Sequence, residues 1–214
     1  MGLVYRLFAR PFLALQDSEK VHLRTLKLLR FMCSNPVTRL PLRVLYKPKK
    51  RLSVNLFNQD YSHPFGLAAG MDKKAEALIG WETIGLGFIE IGGITQLEQD
   101  GNPKPRMFRS SSSKSLVNRM GFNNPGSQKM SSTLKKHFEK HGKPGVPLWI
   151  NLGKSKSTPL DESHIERSCV AGFHLRSSRY HPNVVDRNRQ QPVNESLSWL
   201  SAAVFGCSRC RGIG

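Results

Sequence analysis

The densest group of polar residues in the sequence is Asn118-Arg119-Met120-Gly121-Phe122-Asn123-Asn124-Pro125-Gly126. Side-chain amides at Asn118 and Asn123, on a loop before a helical stretch, can read a planar ligand that carries both donors and acceptors, because each amide offers both. The same residues can equally form a turn that uses Asn and Gly for backbone geometry. Three further clusters end short apolar runs: Ala69-Gly70-Met71-Asp72-Lys73, Gly92-Gly93 and Asn151-Leu152-Gly153-Lys154. Gly lets backbone N–H groups approach a phosphate or a flat cofactor ring, and Lys and Asn add charge and hydrogen bonds.

Other signatures fail on chemistry or context. Gly85-Leu86-Gly87-Phe88-Ile89-Glu90 starts like a dinucleotide fingerprint, but Glu90 takes the place of the third glycine and the run precedes a strand. Cys207 and Cys210 are spaced like a metal or redox pair. A zinc site needs about four ligands, and Cys169, His164, His174 and His181 stand at no recognisable spacing, so no metal is expected. No strand–helix context supports a redox dithiol. Lys47-Pro48-Lys49-Lys50-Arg51 could be a nucleic-acid patch, but it lacks interleaved aromatics and a helix-turn-helix frame, which favours a solvated linker.

These clusters must be positioned by a scaffold. Val54 to Phe57 and Phe65 to Ala69 read as short strands around a turn at Asn58-Gln59-Asp60. A helical stretch from about Lys73 to Ile84 follows, then a strand at Phe88 to Ile91, a Gly/Asn/Pro-rich loop at 100–106, a helix from about Pro125 to His141, and a strand at Val146 to Leu152. Strand and helix in alternation predict βα units and a parallel sheet, whose ligands sit at the carboxyl ends of the strands. The clusters fall at those ends.

Ahead of this unit, Asp17 reads as a helix N-cap with Glu19 in the first turn. From Lys20 the pattern is helical, with Lys20, Arg24 and Lys27 on one face and Val21, Leu26, Leu28, Leu29 and Met32 on the rest, and Asn35-Pro36 ends it. Such a helix can sit in a membrane interface or pack on its own domain. Residues 3–15 fit a secretory signal poorly because Arg6 and Arg10 break the apolar run. They are compatible with a mitochondrial presequence.

The chain has 214 residues and a net charge of +18. Its 38% hydrophobic content excludes wholesale disorder, and no run reaches the ~20 apolar residues of a membrane-spanning helix. Four cysteines do not make a disulfide scaffold. The charge suggests an anionic partner and is uneven: residues 1–51 hold 12 Lys and Arg against two acids. All 16 lysines lie at or before Lys156, and residues 162–214 carry arginine and serine instead.

Five segments in order, Leu67 to Lys73, Ile89 to Gly92, Gly101 to Arg109, Asn118 to Asn124 and Ile150 to Lys154, resemble the dihydroorotate dehydrogenases. Pro11 to Phe31 looks like the helical extension of the membrane-associated, quinone-reducing class. The resemblance covers about residues 3–161. It implies a (β/α)8 barrel that binds FMN and oxidises dihydroorotate to orotate in pyrimidine biosynthesis, with a membrane quinone as acceptor. It implies FMN contacts at Ala69, Gly70, Lys73, Gly93 and Asn151, and substrate contacts at Lys73, Asn118, Arg119, Met120, Gly121, Phe122 and Asn123. Three positions depart from the pattern: His63 stands where Asn is usual, Gly93 where a hydroxyl residue is common, and Ser155 where Asn is.

The family's base lies in a later Asn-x-Ser-Ser-Pro-Asn-Thr segment. Nothing after 161 matches it; Ser177 to Asn183 has a faint likeness only, and no base is assigned. The expected architecture is therefore α/β: a truncated TIM barrel at 52–161, an N-terminal helical and linker region at 1–51, and a tail at 162–214 without predicted fold. The changed composition of the tail suggests an altered reading frame or gene end, and an inactive chain. The expected location is the cytoplasmic face of a membrane, the bacterial inner membrane or alternatively the mitochondrial inner membrane, with no nucleic-acid partner. The competing reading is a non-catalytic basic protein that binds membrane or nucleic acid through residues 1–51. A soluble flavin barrel with another acceptor is disfavoured by the N-terminal helices.

Overall fold

The computed structural model describes residues 7–8, 10–50, 52–56, 59–110, 112–159, 161–162 and 183–185. Its centre is a pair of apolar strands, β3 (Ile89–Ile94) and β6 (Leu148–Leu152), paired in parallel from Ile89↔Leu148 to Ile94↔Leu152 with an irregularity after Gly92. Ile89, Ile91, Ile94 and Ile150 are fully buried. β-Branched side chains on both faces are what a parallel strand covered on two sides requires. Leu67 adds a parallel bridge to Ile89 on one side, and β7 (Asn183–Val185) pairs in parallel with β6 on the other. The spatial order Leu67, β3, β6, β7 follows the chain order, as in the opening arc of a barrel.

The crossovers are helical. α4 (Leu78–Thr83) joins the Leu67 segment to β3, and α5 (Gly126–His141) leads into β6. Leu78, Trp81, Met130 and Leu134 pack with the strand isoleucines in one core. Each buried side chain of this size contributes about 1.5–3 kcal/mol relative to exposure. Two hairpins decorate the arc: β1 (Val54–Leu56) with β2 (Gln59–Tyr61), and β4 (Met107–Ser110) with β5 (Ser115–Asn118). Tyr61 is buried edge-on against Phe88 and Trp149, which closes the side of the strands' amino ends.

Helices at about 125–141 and from Lys20 to the Asn35-Pro36 stop, and strands near 88–91 and 146–152, form close to where the sequence places them. Others need correction. The residues read as a turn, Gln59 and Asp60, belong to β2, where Asp60 pairs with Asn55 through both backbone and side chain. The 65–69 run contributes one bridge residue, not a full strand. The helix expected from Lys73 starts at Leu78, because the buried Asp72 carboxylate takes the N–H groups of Glu76 and Ala77 and the indole N–H of Trp81, at 2.8, 2.9 and 3.1 Å. This winds 73–77 around a side chain, with Ala75 at φ 54°. Part of the segment expected to lack fold, 183–185, is a strand: Val184 and Val185 are β-formers placed opposite Ile150 and Asn151. The remaining expectations for the tail beyond 162, Cys169, Cys207 and Cys210 included, lie outside the described residues.

At the N-terminus α1 (Arg10–Ala14), α2 (Ser18–Met32) and α3 (Pro36–Tyr46) form a short helical array. Asp17 caps α2 by accepting the Lys20 N–H at 2.8 Å. Asn35 ends one helix and caps the next, accepting the Val37 N–H, with Pro36 preset for the first helical position. α2 packs on the barrel arc: Leu26 is buried, and Leu29 sits so close to Gly80 that a Cβ there would collide with it. α3 buries no residue, and Val37, Leu40, Val44 and Leu45 face outward, as do Phe8 and Phe12 before it. Of the two readings of the helix from Lys20, packing on its own domain holds for α2 through Leu26 and Leu29, while α1 and α3 carry exposed apolar residues.

Candidate functional site

The carboxyl ends of the parallel segments converge on Glu90. This side chain is buried within β3, an unusual place for a carboxylate. It accepts the Ala69 N–H at 3.1 Å and the Asn151 side-chain amide at 2.9 Å, tying β3 to the ends of the two segments that flank it. Gly70 N–H donates to Gly92 O at 2.8 Å, which continues the pairing past Leu67. Gly70 has φ 100°, and no heavy atom lies within 4 Å of where a Cβ would stand, so its backbone faces an opening. At Gly93 a Cβ would come within 2.9 Å of the Phe122 ring and 3.3 Å of Asn151 Oδ1. The missing side chain is what lets Phe122 lie across the strand ends.

The loop 118–125 is fastened over this floor by Asn124. Its Oδ1 accepts from Thr95 N and Gly126 N, and its Nδ2 donates to Phe122 O and Thr95 Oγ1, at 2.8 to 3.2 Å. With Asn124 satisfied, Asn123 is turned toward Lys73, whose Nζ donates to Asn123 Oδ1 at 2.7 Å. The turn reading holds for Asn124, which fixes the loop backbone, while the Asn123 amide faces Lys73. Burial holds the Lys73 ammonium below the ordinary lysine range, and the Arg106 charge acts in the same direction. A partly desolvated cation of this kind gains most from an anionic ligand.

A second group borders the first. Glu19 of α2 receives Arg106 Nη2 at 2.8 Å and Nε at 3.2 Å, a buried fork between residues far apart in sequence. The Arg106 hydrogen bond holds the Glu19 carboxyl below the usual carboxylate range, with the charges of Arg106 and Lys104 adding to it. Three turns of chemistry meet here, since His22 on the same helix is kept below its ordinary value first by burial and then by the Lys73 charge.

Of the residues singled out from sequence, Ala69, Gly70, Lys73, Gly93, Asn151, Phe122 and Asn123 come together. Asn118 ends β5 and is exposed, its Oδ1 3.4 Å from Met120 N. The Arg119 side chain turns away to Pro105 O and the Phe108 ring. Met120 and Gly121 pack on Asn102: Met120 O accepts its N–H, and a Cβ on Gly121 would strike the same residue. Glu90, Asn124, His22 and the Glu19–Arg106 pair were not singled out. An acid inside an otherwise apolar run, Ile-Glu-Ile, is the signal that marks Glu90.

The described residues contain no group of His, Cys, Asp and Glu able to hold a metal. The donors instead suit a flat organic ring: backbone N–H groups, amides and one ammonium around an open floor.

Comparison with known proteins agrees. The family model for dihydroorotate dehydrogenase matches residues 51–172. The chain is 44% identical over 153 residues to a dihydroorotate dehydrogenase (quinone) of Thermus thermophilus, covering 71% of this chain and 44% of that protein. A protein of the same description from Gloeobacter violaceus is 42% identical over 160 residues, covering 75% and 44%. A crystal structure of DHODH from Eimeria tenella in complex with ferulenol superposes with a TM-score of 0.58 at 28% identity, covering 76% of this chain and 49% of that one. The chain therefore spans less than half the length of the curated relatives it matches. With its parallel arc, its strand-end cluster and this match over more than half of its length, the chain belongs to the dihydroorotate dehydrogenase family, an oxidoreductase family of the TIM-barrel type.

Proposed function

We propose that this chain carries the flavin and substrate cradle of an FMN-dependent dihydroorotate dehydrogenase of the quinone class, acting in pyrimidine biosynthesis. The observation that carries this reading is the convergence of Ala69, Asn151 and the Lys73–Asn123 pair around the strand ends. The residues fit FMN: Gly70 opens the floor, Gly93 lets the Phe122 ring lie close to the strand ends, and the Ala69 N–H, the Asn151 amide and the Lys73 ammonium supply polar groups around it. FMN, when bound, supplies the hydride acceptor for the oxidation.

In this reading Ala69, Gly70, Gly93 and Asn151 hold the flavin from below. Glu90 keeps the Ala69 backbone and the Asn151 amide aimed. Lys73 offers its ammonium to the orotate carboxylate and to negative charge on the reduced ring. Asn123 reads the alternating donors and acceptors of the pyrimidine, with Phe122 beside it, whereas Asn118 to Gly121 stand away from the cleft. No base is assigned in this stretch.

Residues 52–161 act as the first part of the barrel and 1–51 as a membrane-associating region through which quinone enters. No described helix is long and apolar enough to cross a membrane. The outward-facing Phe12, Val37, Leu40 and Val44 favour a peripheral position on the cytoplasmic side of the bacterial inner membrane. A purified sample with flavin absorbance, together with orotate production from a completed chain and a quinone, supports the reading. A flavin-free protein with salt-sensitive binding to nucleic acid supports the non-catalytic alternative.

A further inference from the structure

On the side of the arc away from Glu90, the ends of α2, α3 and α5 enclose a cleft that the flavin reading does not use. A cavity of about 480 Å³ runs between Cys33 at the end of α2, the 75–80 segment and the last two turns of α5. A second cavity of about 240 Å³ shares Cys33, Ser34, Ile79, His137 and His141 with it, so the two form one continuous depression. Its polar lining is one-sided in charge: Arg30, Arg39, Lys136, Lys140 and Lys143 face only two carboxylates, Glu76 and Glu82.

Cations at the carboxyl end of a helix are ordinary, because the unpaired carbonyls there carry about half an elementary negative charge. Two such ends meet here, α2 and α5, and both are already partly satisfied: Cys33 N–H donates to Leu29 O and Gly142 N–H to Phe138 O. Arg30, Arg39, Lys136 and Lys140 alone outnumber the two carboxylates of the lining, Glu76 and Glu82. Among the described residues, Arg30, Arg39, Lys136 and Lys140 make no ion pair, whereas Lys129 and Lys135 on the same helix pair with Glu98 and Glu139. Two imidazoles lie in the same lining. His137 is held below its ordinary range by burial and by His141, and His141 by burial, Lys140 and Arg39.

We infer that this cleft is a binding site for a phosphate group, taken by Lys136, Lys140, Arg30 and Arg39, with His137 and His141 in its lining. The group carries enough charge to meet four donors, and guanidinium and ammonium donors from three helices suit its tetrahedral oxygens. The cleft shares no lining residue with the proposed flavin cradle of Ala69, Gly70, Gly93, Asn151, Lys73 and Asn123.

The test uses the full chain with inorganic pyrophosphate, and in parallel phosphatidylcholine vesicles with and without phosphatidic acid. Binding is followed by calorimetry and by the ring-proton signals of His137 and His141. The expected result is saturable binding that shifts both ring signals. The double variant K136A/K140A should weaken it about tenfold, and R30Q should weaken it too. K129A/K135A removes the same charge from the same helix and should leave it unchanged. This pattern with pyrophosphate assigns a soluble phosphate ligand; the same pattern with phosphatidic acid vesicles alone assigns a lipid headgroup. Unmoved histidine signals with both probes, or equal weakening by the two double variants, overturns the site.

Discussion

Lys73 Nζ and Asn123 Oδ1 lie 2.7 Å apart, joining the end of the first barrel segment to the loop before α5 across 50 residues of chain. In the proposed cradle Lys73 is assigned to flavin and substrate and Asn123 to substrate, so the pair would link its two halves.

Replacing Lys73 by Ala removes the cleft's partly buried cation. Orotate affinity is expected to fall at least about tenfold, the value of one charge-assisted hydrogen bond, as read by titration of flavin fluorescence. Asn123→Ala frees the ammonium and should weaken orotate binding less. Equal retention of orotate by both variants would place the substrate elsewhere.

Glu90→Ala leaves the Ala69 N–H and the Asn151 amide without an acceptor in a site that water reaches poorly. The expected loss is about 1–3 kcal/mol for each unsatisfied group, seen as a lower denaturation midpoint. Glu90→Gln keeps one acceptor oxygen and should lose less, while both variants should weaken flavin retention by releasing Asn151.

The Glu19–Arg106 fork makes stability depend on acid. The folded Glu19 carboxyl titrates below its unfolded value of 4.5, so the contribution is fully present above that pH and is lost as pH falls through the lower folded value. Urea midpoints should drop more steeply below pH 4.5 in the parent chain than in Glu19→Gln, whose midpoint should already be lower at neutral pH.

Much of the site was legible because its parts sit at strand ends, where Gly, Lys and Asn interrupt apolar runs. Ala69, Gly70, Lys73 and Asn151 stand out for that reason. What sequence could not give was the long-range partner of each group. Glu90 looks like a failed fingerprint position until Ala69 and Asn151 are seen to share it. Asn123 and Asn124 are the same residue type side by side, and only the Thr95 contacts separate the amide that fixes the loop from the one proposed to face a ligand. Asp72 likewise turns a predicted helix start into a loop through three tertiary hydrogen bonds that no periodicity encodes. The β4–β5 hairpin was missed because its strands are mostly exposed and carry no alternation of apolar and polar residues.

The outward apolar face of α1 and α3 predicts association with lipid. Val44, 70% exposed, and Phe12, 68% exposed, are the residues to change. Val44→Asp with Phe12→Asp should reduce sedimentation with phosphatidylglycerol-containing vesicles severalfold, at unchanged net folding by circular dichroism. Undiminished binding would shift the attraction to the basic residues of 1–51 alone.

The most direct test of the cradle is the flavin content of the purified chain. The account predicts that the folded chain binds added FMN at one equivalent, with a visible flavin spectrum, and that Glu90→Ala and Lys73→Ala each weaken that binding. A chain that is folded by circular dichroism yet takes up no FMN at any concentration below saturation of solvent controls would contradict it.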